Sequence, residues 1–198
     1  MTGSLHDAVL LEGRLVRLEP LERRHAEDLA RASADGEVWR KWTTRIPSPE
    51  DVPAEIEARL AAQAAGRIVP WAVVADGRAI GMTTYWAIDD ANRRLEIGAT
   101  WLGASAQGTG INAEAKLLLL TRAFEVLDCI AVEFRTHFHN RQSRAAIERL
   151  GAKQDGVLRS HQIGRGGTLR DTVVYSIIAP EWPTVRLGLL ERLQAGPQ

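Results

Sequence analysis

Cysteine is nearly absent from this chain of 198 residues: Cys129 stands alone, so no internal disulfide can form. A lone thiol suits a reducing compartment. An excess of either charge is also missing, because 25 Lys and Arg balance 25 Asp and Glu. That removes the positive footprint of a general nucleic-acid binder. No stretch approaches the roughly 20 consecutive apolar residues that span a bilayer. Met1 to Asp7 lacks the charged and then apolar order of a signal peptide. Repeats, low-complexity tracts and long Gly/Ser or Pro linkers are absent as well. Apolar residues make up 45% of the chain, enough to offset chain entropy, so disorder is excluded as the main state. The expectation is a cytoplasmic protein with no nucleic-acid or membrane partner. It folds as a single domain over 1–198, with its core over about 10–193.

What is present is a change of period along the chain. Arg14 to Leu18 alternates as a short strand closed by Pro20. Arg23 to Ala34 carries Ala26, Leu29, Ala30 and Ser33 on one helical stripe. Ser48-Pro49-Glu50-Asp51 predicts a helix start, with Ser48 as cap, and a helix to about Gly66. Pro70 to Ala75 and Ala79 to Trp86 predict two strands about an Asp76-Gly77 turn. Arg94 to Leu102 alternates as a third strand. A helix over Gly110 to Leu127, a strand over Ile130 to Phe138 and a short helix over Ser143 to Leu150 follow. Strands over Val157 to Ile163 and Leu169 to Ile178 come next, and Glu181 to Leu193 is a closing helix. Runs of adjacent strands argue for antiparallel pairing, and the strand-helix-strand piece over 94–138 argues for one parallel pair. The fold class is α/β in the mixed α+β sense: one mostly antiparallel sheet of about six to seven strands, flanked by helices.

The densest signal is Trp101-Leu102-Gly103-Ala104-Ser105-Ala106-Gln107-Gly108-Thr109-Gly110-Ile111-Asn112. A strand ends, a small-residue loop follows and a helix begins. Glycines let backbone N–H groups converge, and a helix start adds free N–H groups and a positive dipole end. Such a loop suits a phosphate or pyrophosphate; it also suits a tight turn that merely needs glycine. A nucleotide triphosphate loop requires Gly-Lys-Ser/Thr at its end, and Lys116 follows Ala115 instead. Gly108-Thr109-Gly110-Ile111-Asn112-Ala113 matches the dinucleotide string, but the following strand ends in Arg135 to His139 with no acid for a ribose. Coenzyme A remains as the third pyrophosphate ligand.

Three pieces carry a family resemblance: Leu95-Glu96-Ile97-Gly98, then Gln107-Gly108-Thr109-Gly110, then Asn140-Arg141-Gln142-Ser143 with Leu150-Gly151-Ala152 six residues on. They resemble the GNAT superfamily of N-acetyltransferases. Leu11 to Leu21, Glu114 to Leu119, Gly156 to Arg159, Asp171 to Ser176 and Glu181-Trp182-Pro183 resemble its RimJ/RimL-like subgroup, which acts on ribosomal-protein N-termini. The resemblance implies acetyl-CoA as donor and an amine as acceptor, and it admits a homodimer. It implies that backbone amides of Gln107, Gly108, Thr109, Gly110 and Ile111 surround the CoA pyrophosphate. The strand over 96–102, with Trp101 and Leu102, lies along the pantetheine arm. Asn140 hydrogen-bonds that arm near Ser143, and Asn112 and Lys116 add CoA contacts. Two positions depart from the pattern. Ser105 replaces the usual Gln or Arg before the loop, and Ile147 replaces a tyrosine general acid. Ser143 is the acid expected in its place.

Acyl transfer to an amine needs a neutral nitrogen, a stabilised oxyanion and a proton for the departing thiolate. Glu96 is the first candidate base, and its competing reading is an ion pair with Arg135. His161, on a late strand, is the second; its competing reading is a solvated histidine. Ser143 and Asn140 also read as caps of the helix they open. His137 and His139 share a strand face but lack the third ligand of a metal site. Trp39 and Trp42 fall where proteins of the resembled family build their acceptor wall; they and Trp86 read otherwise as core or half-buried walls, with one or two rings expected against the acceptor. Arg135, Arg141, Arg144 and Arg149 read as a solvated face or as a lure for CoA phosphates. Three acceptor or activity classes stay open: a protein N-terminal α-amine; a small amine, amino acid or antibiotic, with succinyl-CoA as a variant donor; and a non-catalytic acyl-CoA-binding module.

Overall fold

The computed structural model of the chain describes residues 3–195. Eight strands form one sheet: β1 (Leu11–Glu12), β2 (Arg17–Pro20), β3 (Val69–Ala75), β4 (Arg78–Asp89), β5 (Arg94–Leu102), β6 (Ala131–His137), β7 (Lys153–Ile163) and β8 (Leu169–Ile178). Their order is β1-β2-β3-β4-β5-β6-β8-β7. Every neighbouring pair is antiparallel except β5 and β6, which run parallel around α3. The helices are α1 (Ala26–Ala34), α2 (Val52–Ala64), α3 (Ile111–Thr121), α4 (Arg141–Glu148) and α5 (Trp182–Ala195). The mixed, mostly antiparallel architecture is the one the sequence patterns imply. None of the described helices is long and apolar enough to cross a membrane.

Strand periodicity sorts side chains into two cores. Ala72, Val74, Met82 and Trp101 pack with Leu29 of α1 and Ile56 of α2. Trp71, Val73, Tyr85, Leu95, Ile97 and Phe134 pack on the other face with Leu119 and Leu120 of α3 and Leu189 of α5. Asp76 and Gly77 both take positive φ, 49° and 74°, as the tight β3–β4 hairpin requires.

Several element ends differ from expectation, each for a local reason. The first long strand is Arg17–Pro20 rather than Arg14 to Leu18, because Leu15 and Val16 give their N–H groups to the Glu114 carboxylate at 2.5 and 2.9 Å. β1, only two residues long, was not expected and brings the strand count to eight. Ser48 closes a turn instead of capping α2: its hydroxyl donates to Asp51 Oδ2 at 2.7 Å, and the helix starts at Val52 with Pro53 in its first turn. The helix expected over Gly110 to Leu127 is α3 followed by one wider turn, Arg122–Val126.

The feature that creates a site is where β5 and β6 part. They pair only from Arg94, Leu95 and Glu96 to Ala131, Val132 and Glu133. Beyond Glu96, β5 carries a bulge: Ala99 has φ 47°, and the register with β4 slips between Met82 and Thr84. The two strands splay toward their C-terminal ends, and a cleft of about 1390 Å³ opens along the gap.

Candidate active site

The glycine loop closes one end of this cleft. A short turn, Ala104–Ala106, follows β5, and Gln107 to Gly110 leads into α3. Gly108 and Gly110 have φ of +79° and +88°, so their backbone selects glycine. The N–H groups of Gly108, Thr109, Gly110, Ile111 and Asn112 find no acceptor among the described residues. With the positive end of α3 behind them, these donors fit a pyrophosphate. The Gln107 N–H is not among them, because it bonds the Ala104 carbonyl at 3.1 Å. The Gln107 side chain donates to the Leu102 carbonyl at 2.9 Å and accepts from Gln142 at 3.1 Å, which ties the loop to α4. Ser105 gives its N–H and hydroxyl to Asp35 at 2.8 and 2.7 Å. The loop is thus anchored to the segment after α1, and those two bonds hold the Asp35 carboxyl below its usual range.

Arg14, Arg149 and Arg192 line the cleft beside the loop. Burial and the neighbouring charge of Arg149 both press the Arg192 pKa down, so the trio is short of negative charge. Arg14 and Arg192 escaped the sequence reading. No spacing signal links positions 14, 149 and 192; only the packing of α5 beside the loop does so.

One wall comes from the start of α4. Asn140 caps that helix, its Oδ1 accepting from the Ser143 N–H at 3.1 Å, and both residues line the cleft. The Ser143 hydroxyl makes no hydrogen bond to the described residues. Ile147 lies on the same wall, buried. Both tyrosines are engaged elsewhere: Tyr85 donates to the Leu119 carbonyl at 2.6 Å, and Tyr175 donates to Glu148 at 2.7 Å while accepting from Arg144 at 3.1 Å. That bond, and the Phe138 ring at 5.1 Å, keep Arg144 out of the cleft lining. Asn140→Asp separates its two expected roles. It keeps the capping oxygen but loses the amide donor, so the melting midpoint should hold while CoA affinity falls about tenfold. Unchanged affinity in a binding titration would leave Asn140 a cap only.

Lys116, also in the lining, is buried under the bulge, with Nζ donating to Thr100 Oγ1 at 2.6 Å and Thr83 Oγ1 at 3.3 Å. Burial pushes its pKa from 10.5 down to about 7. Between those values the unfolded chain holds a proton that the folded chain does not, so stability rises with pH across that window. Lys116→Met should raise the midpoint at pH 7 and flatten this rise. The two threonine hydroxyls, 2.8 Å apart, can satisfy each other. Parallel stability curves for the two proteins over that window would contradict the assignment.

Glu96 stands at the crotch of the splay, across the strand pair from Trp86. A Cβ on Gly98 would lie 2.6 Å from Glu96 Oε1 and 3.2 Å from Trp86 Cδ1, so glycine makes the room for this carboxylate. Arg135 lies 3.6 Å away but is shared with Glu133 at 2.9 Å. Burial outweighs that partner and pushes the Glu96 pKa up to about 7, where a carboxylate can exchange a proton near neutral pH.

His161 lines the far side, Nδ1 3.1 Å from Thr172 Oγ1, on the exposed edge strand β7. His137, buried, also lines the cleft, and desolvation pushes its pKa down. Trp86 lines the cleft with Arg59 behind it at 5.8 Å. Trp39, stacked with Arg40, and Trp42, edge-on to His137 at 5.0 Å, lie outside the lining, as does the Ile111 side chain. The described residues hold no group of three or more metal-ligating side chains. The structure therefore brings together Glu96, Ser143, His161, Trp86, Trp101, Leu102, Asn112, Lys116, Asn140 and the loop over 107–110.

Comparisons with known proteins bear on the family and the fold. A Bacillus subtilis (strain 168) relative, named "Putative ribosomal N-acetyltransferase YdaF", is 36% identical over 107 residues, 54% of this chain and 57% of its own length. The match thus spans little more than half of that curated relative. A GCN5-related N-acetyltransferase structure from Brucella melitensis superposes with a TM-score of 0.84 at 30% identity, covering 93% of this chain and 85% of that one. Mycobacterium smegmatis RimJ, solved in complex with CoA-disulfide, shares the fold with a TM-score of 0.80 at 24% identity, over 94% and 95% of the two chains. The family model described as the acetyltransferase (GNAT) domain matches residues 15–153, and the chain belongs to that family of acetyltransferases.

Proposed function

We propose that the protein transfers an acetyl group from acetyl-CoA to a primary amine, and that the acceptor is the α-amine of a protein N-terminus. The observation that carries this reading is one cleft joining an anion-binding glycine loop to a carboxylate poised near pH 7, with the β5–β6 splay between them. The CoA-disulfide of the M. smegmatis RimJ complex and the ribosomal target in the B. subtilis relative's name point the same way.

The free N–H groups over 108–112 hold the diphosphate, and Arg14, Arg149 and Arg192 attract the phosphates to that end. β5 beyond Glu96 offers unpaired backbone to the pantetheine arm. Glu96 accepts the proton of the incoming ammonium. The amine nitrogen then attacks the thioester carbonyl carbon, the C–S bond breaks and the thiolate leaves. Ser143, whose hydroxyl is uncommitted, passes a proton to that sulfur and takes in exchange the second proton that the nitrogen sheds as the amide forms. His161 faces the acceptor side with Trp86.

The base strength favours an α-amine. An α-ammonium has a pKa of about 7.7–8.0 and a lysine about 10.4, so a base near 7 faces an uphill transfer of about 1 kcal/mol for the first and about 4–5 kcal/mol for the second. Thermal unfolding with acetyl-CoA, succinyl-CoA, NAD and ATP tests the donor. At about 100 times its dissociation constant, acetyl-CoA should raise the midpoint by roughly 5–10 °C. A shift with NAD or ATP alone would overturn the assignment of the loop.

A further inference from the structure

Two guanidinium groups act on Glu96, those of Arg135 and Arg170, and the second has no counter-ion among the described residues. Arg135 is balanced by Glu133 and Glu96, and Arg59 by Glu55 at 2.8 Å. Arg170, on β8 opposite Gln162, makes no ion pair within 4.0 Å and no hydrogen bond among the described residues. Its Nε is buried with no hydrogen-bond partner among the described residues. Leaving a guanidinium partly desolvated and unpaired is unfavourable. Burial pushes the Arg170 pKa down, and the one charge opposing this is that of Glu96. Arg170 nevertheless lines the cleft with Glu96, His137 and Thr172, at the end away from the glycine loop.

We propose that Arg170 is a specificity-determining residue that binds a carboxylate of the acceptor, so that preferred acceptors carry an acidic group a few bonds from the reacting amine. The inference rests on the amine-acetylation reading above. A guanidinium offers two parallel N–H donors that match a carboxylate. The placement is on the acceptor side because Glu96 takes its proton from the acceptor nitrogen. When Glu96 becomes neutral, Arg170 loses the one charge that faced it, and an acceptor carboxylate restores the balance. Arg135, already paired with Glu133, leaves that task to Arg170.

Two matched pairs of acceptors test this: peptides that begin with Asp or with Asn and are otherwise identical, and free glutamate against its α-amide. The first pair reads an acidic side chain, the second the α-carboxylate of a small molecule. Wild-type kcat/KM should favour the acid in at least one pair by roughly 10- to 100-fold. Arg170→Gln should bring that ratio near one, and Arg170→Lys should restore part of it. An acetyl-CoA midpoint shift retained in both variants shows that each is folded. Calorimetry of the same pairs with CoA-saturated protein reads the preference without turnover. Absence of acetylation with the binding preference intact would therefore sink the proposed reaction and not this inference. No preference in either pair, or a preference that survives Arg170→Gln, overturns it. So does a loss of succinyl-CoA use in Arg170→Gln with unchanged acceptor ratios, which would place Arg170 on the acyl side.

Discussion

Glu96→Gln is expected to lower kcat by about 100-fold, the low end of what a positioned base contributes, since an α-amine is already partly neutral near pH 8. The wild-type rate should climb with pH through about 7 as Glu96 ionises, and the variant should lose that limb. The acceptor's own titration is common to both proteins, so the difference between the two profiles isolates the carboxylate. Stability should move the other way. The Glu96 pKa is raised on folding from 4.5 to about 7, so its contribution is present below 4.5 and is lost as pH rises through 7. Glu96→Gln should therefore melt higher than the wild type at pH 8, and the gap should close in acid. Parallel pH–rate profiles would remove Glu96 as the base.

Glu114→Ala is the substitution with the largest expected effect on stability. This buried carboxylate, in the first turn of α3, accepts the N–H groups of Leu15 and Val16 and so fixes the segment that carries Arg14 beside the glycine loop. Removing it strands at least the Val16 donor away from water and costs about 2–3 kcal/mol. For a chain of this size the midpoint should fall by roughly 5–10 °C. Glu114→Gln, which keeps an accepting oxygen, should recover most of the loss and most of the CoA affinity. A Glu114→Ala midpoint within a degree of wild type would show that the segment is held by other contacts.

The sheet was legible because its signals are local. Alternation at Leu95 and Ile97 against Glu96, the Asp76-Gly77 turn and the strand-helix-strand spacing over 94–138 each act within a few residues or one connection. The glycine loop was legible for the same reason, since positive φ at Gly108 and Gly110 selects a residue type. The ends of elements were not, because a distant partner decides them. Glu114 draws Leu15 and Val16 out of the first strand, and Ser48 turns toward Asp51. Charges were the least legible. A sequence shows that Lys116, Arg59 and Arg170 are charged, but not that two threonines enclose the first, that Glu55 and Thr84 bind the second, or that no described residue pairs the third. Ser143 and Asn140 were found by motif, yet their capping bond and the unused Ser143 hydroxyl needed coordinates.

The most direct test of the central claim measures CoA release from acetyl-CoA with three peptides: one with a free α-amine and no lysine, one Nα-blocked with a lysine, and one blocked with none. Mass spectrometry then locates the acetyl group. The account predicts CoA release with the first peptide, one acetyl group on its terminal nitrogen, and little reaction with the others. Tight acetyl-CoA binding with no release under any amine would contradict it and leave an acyl-CoA-binding module.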